Sequence, residues 1–272
     1  MKQVLFIHAG HRSTEGMFRC LCELQQQERL RVRALFFGPV DYPTVAAMYG
    51  TAVMSPSINM DAEQNELVAE QKADFVEQCN QHQIAYDIPH NYSVWDRDLF
   101  SAETRFADLV LVSGDLFFAG IDDHQPNAYL RQALRAAECP VMVVPEHFEA
   151  IDHLFIAYDG TAKSVSALKQ FCYVFPHLLN LPAEIVYVRN EEADNIPGLE
   201  DLKRLAMTKF NNLGYAKLHF DAATYFPTWI GEKKNALLIT GAFGRSALSN
   251  IARRSFAEEI LRDHRVPVFI AR

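Results

Sequence analysis

The sequence lacks any apolar run approaching the roughly 18 residues that a membrane-crossing helix requires. Its start, MKQVLFIHAGH, turns polar too early for a secretory signal, so a cytoplasmic protein with no membrane partner is expected. Basic residues are not in excess: 26 Lys and Arg stand against 34 Asp and Glu, a formal net charge of −8. A broadly basic surface tracking a phosphate backbone is thereby excluded, and nucleic acid is not expected as a partner. Cysteines are few and irregularly placed at Cys20, Cys22, Cys79, Cys139 and Cys172, which gives no disulfide framework. His8 and His11 lie upstream of Cys20 and Cys22, but this spacing fits no zinc signature, and buried reduced thiols are expected. Low-complexity tracts are missing too. With 49% hydrophobic and 22% charged residues over 272 positions, the composition suits two compact units with substantial cores.

What the chain does contain is an internal repeat, and a repeat decides the architecture. Ala107-Asp108-Leu109-Val110-Leu111-Val112-Ser113-Gly114, followed by Pro140-Val141-Met142-Val143-Val144, matches Ala236-Leu237-Leu238-Ile239-Thr240-Gly241, followed by Pro267-Val268-Phe269-Ile270-Ala271. Gly114 to Gly241 and Pro140 to Pro267 share the offset 127, without a gap. Near the start, Val4 to Gly10 matches Leu154 to Gly160 at offset 150, so the first copy holds 23 additional residues. The Pro-, Gly- and Ser-rich stretch 39–62 sits where that excess must fall and reads as an insertion loop. Its Tyr42, Met48, Tyr49, Met54 and Met60 suit a lid packed on its own domain or a partner-docking surface.

Short Val/Ile/Leu/Phe runs alternate with stretches of helical period in both copies. Strands are expected near 3–8, 31–37, 84–88, 107–112 and 140–144, then near 153–158, 183–188, 216–221, 236–240 and 267–271. Helices are expected near 14–29, 62–82 and 126–137, then near 162–175, 198–212 and 254–264. Trp95 and Trp229 each precede a fourth strand and suit anchors for a short helix. Continuous apolar strands are buried on both faces, and β-α alternation makes them parallel with right-handed crossovers. The fold class is therefore α/β, two tandem doubly wound five-stranded units, spanning 1–148 and 149–272 with a polar link near Glu146 to Asp152.

Open parallel sheets bind ligands at the carboxyl ends of their strands, near the point where strand order reverses. In the second copy those ends read Ala157-Tyr158-Asp159-Gly160-Thr161 and Thr240-Gly241-Ala242-Phe243-Gly244-Arg245-Ser246. Asp159 suits a ribose or a phosphate-bound metal ion, the two glycines allow phosphate to approach backbone amides, and Ser255 opens the last helix where an anion is favoured. Asp159 after strand one, and Gly241-x2-Gly244-x9-Arg254-Ser255 running into Phe256-Ala257-Glu258-Glu259-Ile260-Leu261, resemble the universal stress protein family. The resemblance covers essentially the whole chain as two copies, clear in the second and blurred in the first.

That resemblance implies an adenine-nucleotide α-hydrolase-like fold, with the two units paired through their last strands as a pseudo-dimer. It implies a stress-response regulator that is not an enzyme and binds ATP or AMP, with Mg, through Asp159, Gly160, Val188, Gly241, Gly244, Arg245, Arg254, Ser255 and Phe256. An unidentified protein partner and a homodimer are further arrangements it leaves open. The chain departs from the family's ATP-binding pattern, Gly-x2-Gly-x9-Gly-[Ser/Thr], at Arg254, where a side chain replaces bare backbone. In the first copy Phe117 replaces the second glycine, Asn127 and Ala128 the final pair, and Ala9 aligns with Asp159, so no nucleotide is expected there.

Each of these residues also has a plainer structural role. Ser255 and Glu258 form a capping box, Gly241 and Gly244 serve a tight turn, and Asp159-Gly160 is a strand-exit turn. Arg245, Arg253 and Arg254, with Lys163, either grip an anion bidentately or form a solvated basic face. A Ser-His-Asp, Cys-His or paired-carboxylate arrangement does not emerge, so hydrolase and transferase readings are set aside. The competing function is a protein-interaction role in which the phosphate site has been lost. Arg254→Gly distinguishes the two roles of that position by calorimetric titration with ATP: affinity rises if Arg254 obstructs the loop and falls if Arg254 grips phosphate.

Overall fold

In a computed structural model the described residues are 1–9, 14–37, 58–89, 97–113, 134–188, 196–218, 230, 233, 235–241 and 266–272. The first half comprises β1 (Lys2–Ala9), α1 (Glu15–Gln27), β2 (Leu30–Phe37), α2 (Ile58–Gln81), β3 (Ala85–Asp87), α3 (Arg97–Thr104), β4 (Leu109–Ser113) and β5 (Val141–Val144). The second comprises β6 (His153–Tyr158), α4 (Ala162–Val174), β7 (Ala183–Val188), α5 (Leu199–Met207), β8 (Leu213–Leu218), β9 (Ala236–Gly241) and β10 (Val268–Ala271).

Among the described residues ten strands make one sheet in the order β3-β2-β1-β4-β5-β10-β9-β6-β7-β8. Each half has the same order, third-second-first-fourth-fifth, and all pairings within a half are parallel. The halves meet where β5 and β10 pair antiparallel, with Val143 opposite Val268, Met142 opposite Phe269 and Val141 opposite Ile270. This is the tandem doubly wound arrangement the repeat implies.

The strands carry apolar side chains on both faces because helices cover both. Val4, Phe6, Leu109 and Leu111 enter one buried cluster, while Leu5, Ile7, Val110 and Val112 enter another. α1 turns Met17, Phe18, Leu21 and Leu24 inward at helical spacing. Phe18, Phe6 and Phe75 of α2 lie with ring centroids 5.2–5.4 Å apart. Within the second half, Phe269 of β10 meets Phe171 of α4 at 5.4 Å and 78°, an edge-on contact aromatic quadrupoles favour. Lys2 in β1 reaches both the Glu28 carboxylate and the Val174 carbonyl, tying the start of the first half to the end of α4.

Several sequence expectations are corrected. The insertion does not stay a loop to residue 62: α2 already begins at Ile58, its start lying within the stretch read as irregular. The third strand of the second half begins at Leu213 rather than 216 and is described as far as Leu218, with 219–221 outside the described residues, and the preceding helix ends at Met207 rather than 212. β8 is an edge strand whose Gly214 and Tyr215 face solvent, so the continuous-apolar criterion missed its start. The link after β5 is not merely polar either, since Phe148 is buried in the core. The expected helix at 254–264 and both tryptophans lie outside the described residues, as does most of 126–137. All five cysteines are free; Cys20, Cys79 and Cys172 are buried, and burial pushes Cys79 up to about 12.

Phe269, in the strand that forms the seam, packs against both Phe171 and Phe175. Phe269→Ala is therefore expected to cost about 3–5 kcal/mol, read as a lower urea midpoint for the whole chain.

Candidate functional site

The reversal of strand order in the second half falls between β6 and β9. These two are parallel neighbours with Ile156 beside Ile239, so Asp159 and Gly241 emerge at one edge of the sheet. β7 lies on the other side of β6, Tyr158 beside Tyr187, and places Val188 at that edge as its last residue. Asp159, Gly160, Val188 and Gly241 are thus brought together. Gly244, Arg245, Arg254, Ser255 and Phe256 lie outside the described residues.

The exit of β6 is built by a short hydrogen-bonded turn. Oδ1 of Asp159 accepts from the Thr161 amide at 2.9 Å and from the Thr161 hydroxyl at 2.7 Å. Thr161 occupies the N-cap position of α4, yet its hydroxyl points back to Asp159 and makes no side-chain cap. The Asp159 carboxylate thereby stands beside the positive end of the helix dipole, where an acidic group is stabilised. Ser164, itself buried, donates to the Thr161 carbonyl at 2.8 Å and tightens the first turn. Gly160 adopts φ +81°, a left-handed conformation that favours glycine and lets the chain swing from strand into helix.

Gly241 has a definite packing reason. A Cβ there would lie 2.8 Å from the Lys163 carbonyl carbon and 2.9 Å from the Ser164 amide nitrogen. The bare Cα lets the backbone of the first turn of α4 rest on the end of β9, a role neither the turn nor the phosphate argument anticipated. Thr240 beside it is buried, its hydroxyl directed to the Gly241 carbonyl at 3.4 Å.

A further group at this edge was not singled out from the sequence. The Tyr158 hydroxyl donates to the Pro197 carbonyl at 2.6 Å. Pro197 also covers Gly160, where a Cβ would meet its ring at 3.2–3.3 Å. Gly198, at φ +64°, is the N-cap of α5. Burial, helped by the Asp159 carboxylate, raises the Tyr158 phenol above its ordinary value and keeps it a donor. Tyr187 stacks obliquely with Tyr158 at 6.2 Å, fully buried, its hydroxyl without a partner among the described residues. The Pro-Gly dipeptide at 197–198 was the available signal, a turn marker followed by the acidic first turn of α5.

The matching edge of the first half is different. There His8 packs its ring against Phe36 at 5.7 Å, Ala9 stands where Asp159 stands, and Ser113 ends β4 as a buried residue. Gly114, Phe117, Asn127 and Ala128 lie outside the described residues. Among the described residues no cluster of His, Cys, Asp and Glu could hold a metal ion, and no helix is long and apolar enough to cross a membrane.

This is a doubled, doubly wound α/β protein whose strand order reverses between β6 and β9 in its second half. No family model matches the chain. Over 148 residues, 54% of the chain, it is 26% identical to the universal stress protein Slr1230 of Synechocystis sp. (strain ATCC 27184 / PCC 6803 / Kazusa), and it spans about half of that relative's length, 51%. Two solved structures share the fold along nearly all of both chains. A universal stress protein from Archaeoglobus fulgidus DSM 4304 superposes with TM-score 0.65 at 14% identity, covering 98% of this chain and 96% of that one. A putative universal stress protein from Pseudomonas aeruginosa UCBPP-PA14 gives 0.56 at 11% identity, covering 99% and 93%. The sequence relative is a universal stress protein, and the chain carries, in tandem form, the fold of the solved universal stress proteins.

Because Gly241 lies against the α4 backbone, Gly241→Ala is expected to destabilise the protein by about 1–3 kcal/mol. Urea denaturation without any ligand checks this; unchanged stability would show that the helix yields and the glycine has no packing role.

Proposed function

We propose that this chain is a stress-response regulator whose second half binds one adenine nucleotide, ATP or AMP with Mg, at the exits of β6 and β9. The observation that supports this best is the convergence of Asp159, Gly160, Val188 and Gly241 beside the start of α4, at the reversal of strand order. Loop amides, a helix N-terminus and a carboxylate meet there, and these are the groups a ribose phosphate uses. Asp159 would take the ribose through the oxygen not engaged by Thr161. Gly244, Arg245, Arg254, Ser255 and Phe256 would supply the phosphate side. The role would be sensing rather than turnover, in the cytoplasm. We divide the chain at 148/149 for this purpose.

The second reading, a protein-interaction role with no nucleotide, draws on one particular fact. Gly241 is fully accounted for by the backbone of α4, so its presence alone does not argue for phosphate.

Native mass spectrometry of the purified protein, followed by calorimetric titration with ATP and AMP in the presence of Mg²⁺, separates the two. Binding at one site per chain is expected, weakened about tenfold by Asp159→Ala through loss of a charge-assisted hydrogen bond. Silence in both assays supports the interaction role.

A further inference from the structure

Three residues, Ile196, Pro197 and Gly198, form a strap that leads into α5 and crosses the exit of β6. Its attachment is specific. The Pro197 carbonyl accepts the Tyr158 hydroxyl at 2.6 Å, the Pro197 ring lies over Gly160, and Gly198 sits 3.3 Å, measured from a notional Cβ, from that same hydroxyl. Gly160 at φ +81° and Gly198 at φ +64° are both in the left-handed region, so the two surfaces that meet are each shaped by a glycine. Beside the latch the Tyr187 phenol is buried without a partner among the described residues. The strap thus lies against Gly160 and carries one side-chain hydrogen bond, from Tyr158, while at its ends Ile196 packs on the core and the Ile196 and Gly198 carbonyls accept from the Leu199 and Leu202 amides.

We propose that the Ile196–Gly198 strap is a gate latched by Tyr158 over the exit of β6, and that the ligand of this site competes with it. The proposal rests on the adenine-nucleotide reading and adds to it a means of regulation. The closed strap lowers the apparent affinity by the fraction of molecules in which the site is covered, and anything that opens it restores the intrinsic value. Tyr158 is then a positioning residue acting through Pro197.

Tyr158→Phe removes the hydroxyl and keeps the ring. Hydrogen exchange of the amides from Gly198 to Leu202 and titration with ATP are measured on the full chain, wild type and variant. The expected result is faster exchange in the variant, with ATP affinity raised about fivefold, the worth of one net hydrogen bond. Gly198→Ala, which crowds the Tyr158 hydroxyl and strains the strap, is expected to act in the same direction. Unchanged exchange overturns the latch. Faster exchange with equal or weaker ATP binding overturns the competition, since wild-type binding would show the site itself intact. No ATP binding by either protein overturns the gate together with the nucleotide reading.

Discussion

Much of this structure follows from one constraint: the last strand of each half has nowhere to go but against the other. β5 is Val141-Met142-Val143-Val144 and β10 is Val268-Phe269-Ile270-Ala271, and all eight residues are buried. Left as edges, two such strands would present unpaired amides and carbonyls flanked by apolar side chains, the template on which chains aggregate. Antiparallel pairing removes both edges at once. The edges that remain are of another character. β3 is three residues long, and β8 exposes Gly214 and Tyr215, so neither offers a long flat apolar surface. Once the seam is fixed, the positions of α4 and of the β9 carboxyl end follow, because α4 packs its Phe171 and Phe175 on Phe269 and its first turn on Gly241.

That packing changes the meaning of the most conspicuous glycine in the sequence. A glycine after a strand is equally consistent with a phosphate approaching the backbone and with another segment of the chain approaching it. Here the approaching segment is Lys163–Ser164. The two uses are compatible, since a helix start brought close to a strand end also brings its free amides there. Thr161 reinforces this, because its hydroxyl goes to Asp159 and leaves those amides without a side-chain cap.

The fold was legible where burial is two-sided. Leu154 to Tyr158 and Ala183 to Tyr187 read as strands because nearly every residue in them is apolar, and their ends lie where the sequence put them. The repeat did the rest, since equal offsets for Gly114/Gly241 and Pro140/Pro267 leave little freedom in strand order. Legibility failed where a segment is only half buried. β8 escaped because an edge strand needs apolar residues on one face only, and the start of α2 was hidden among the prolines and glycines upstream of Ile58. At the site, Asp159, Gly160 and Gly241 were visible because strand-exit chemistry is local in sequence. Tyr158 and Pro197 were not, because a hydrogen bond between residues 39 apart leaves no periodic trace.

The strap also explains why a strand exit rich in glycine need not be an open one. Gly160 gives β6 room to turn, and that room is taken up by Pro197 rather than by solvent. A proline there loses little conformational entropy on docking, since its φ is already fixed, and the bond from Tyr158 adds to the packing of Ile196 on the core. Lifting the strap would also cost the bond from the Leu202 amide to the Gly198 carbonyl, while Leu202 and Ala206 keep the body of α5 anchored in the core. Of the energy that separates the two positions, the Tyr158 bond supplies about 1 kcal/mol. A ligand shifts the balance by its differential interaction with the uncovered site.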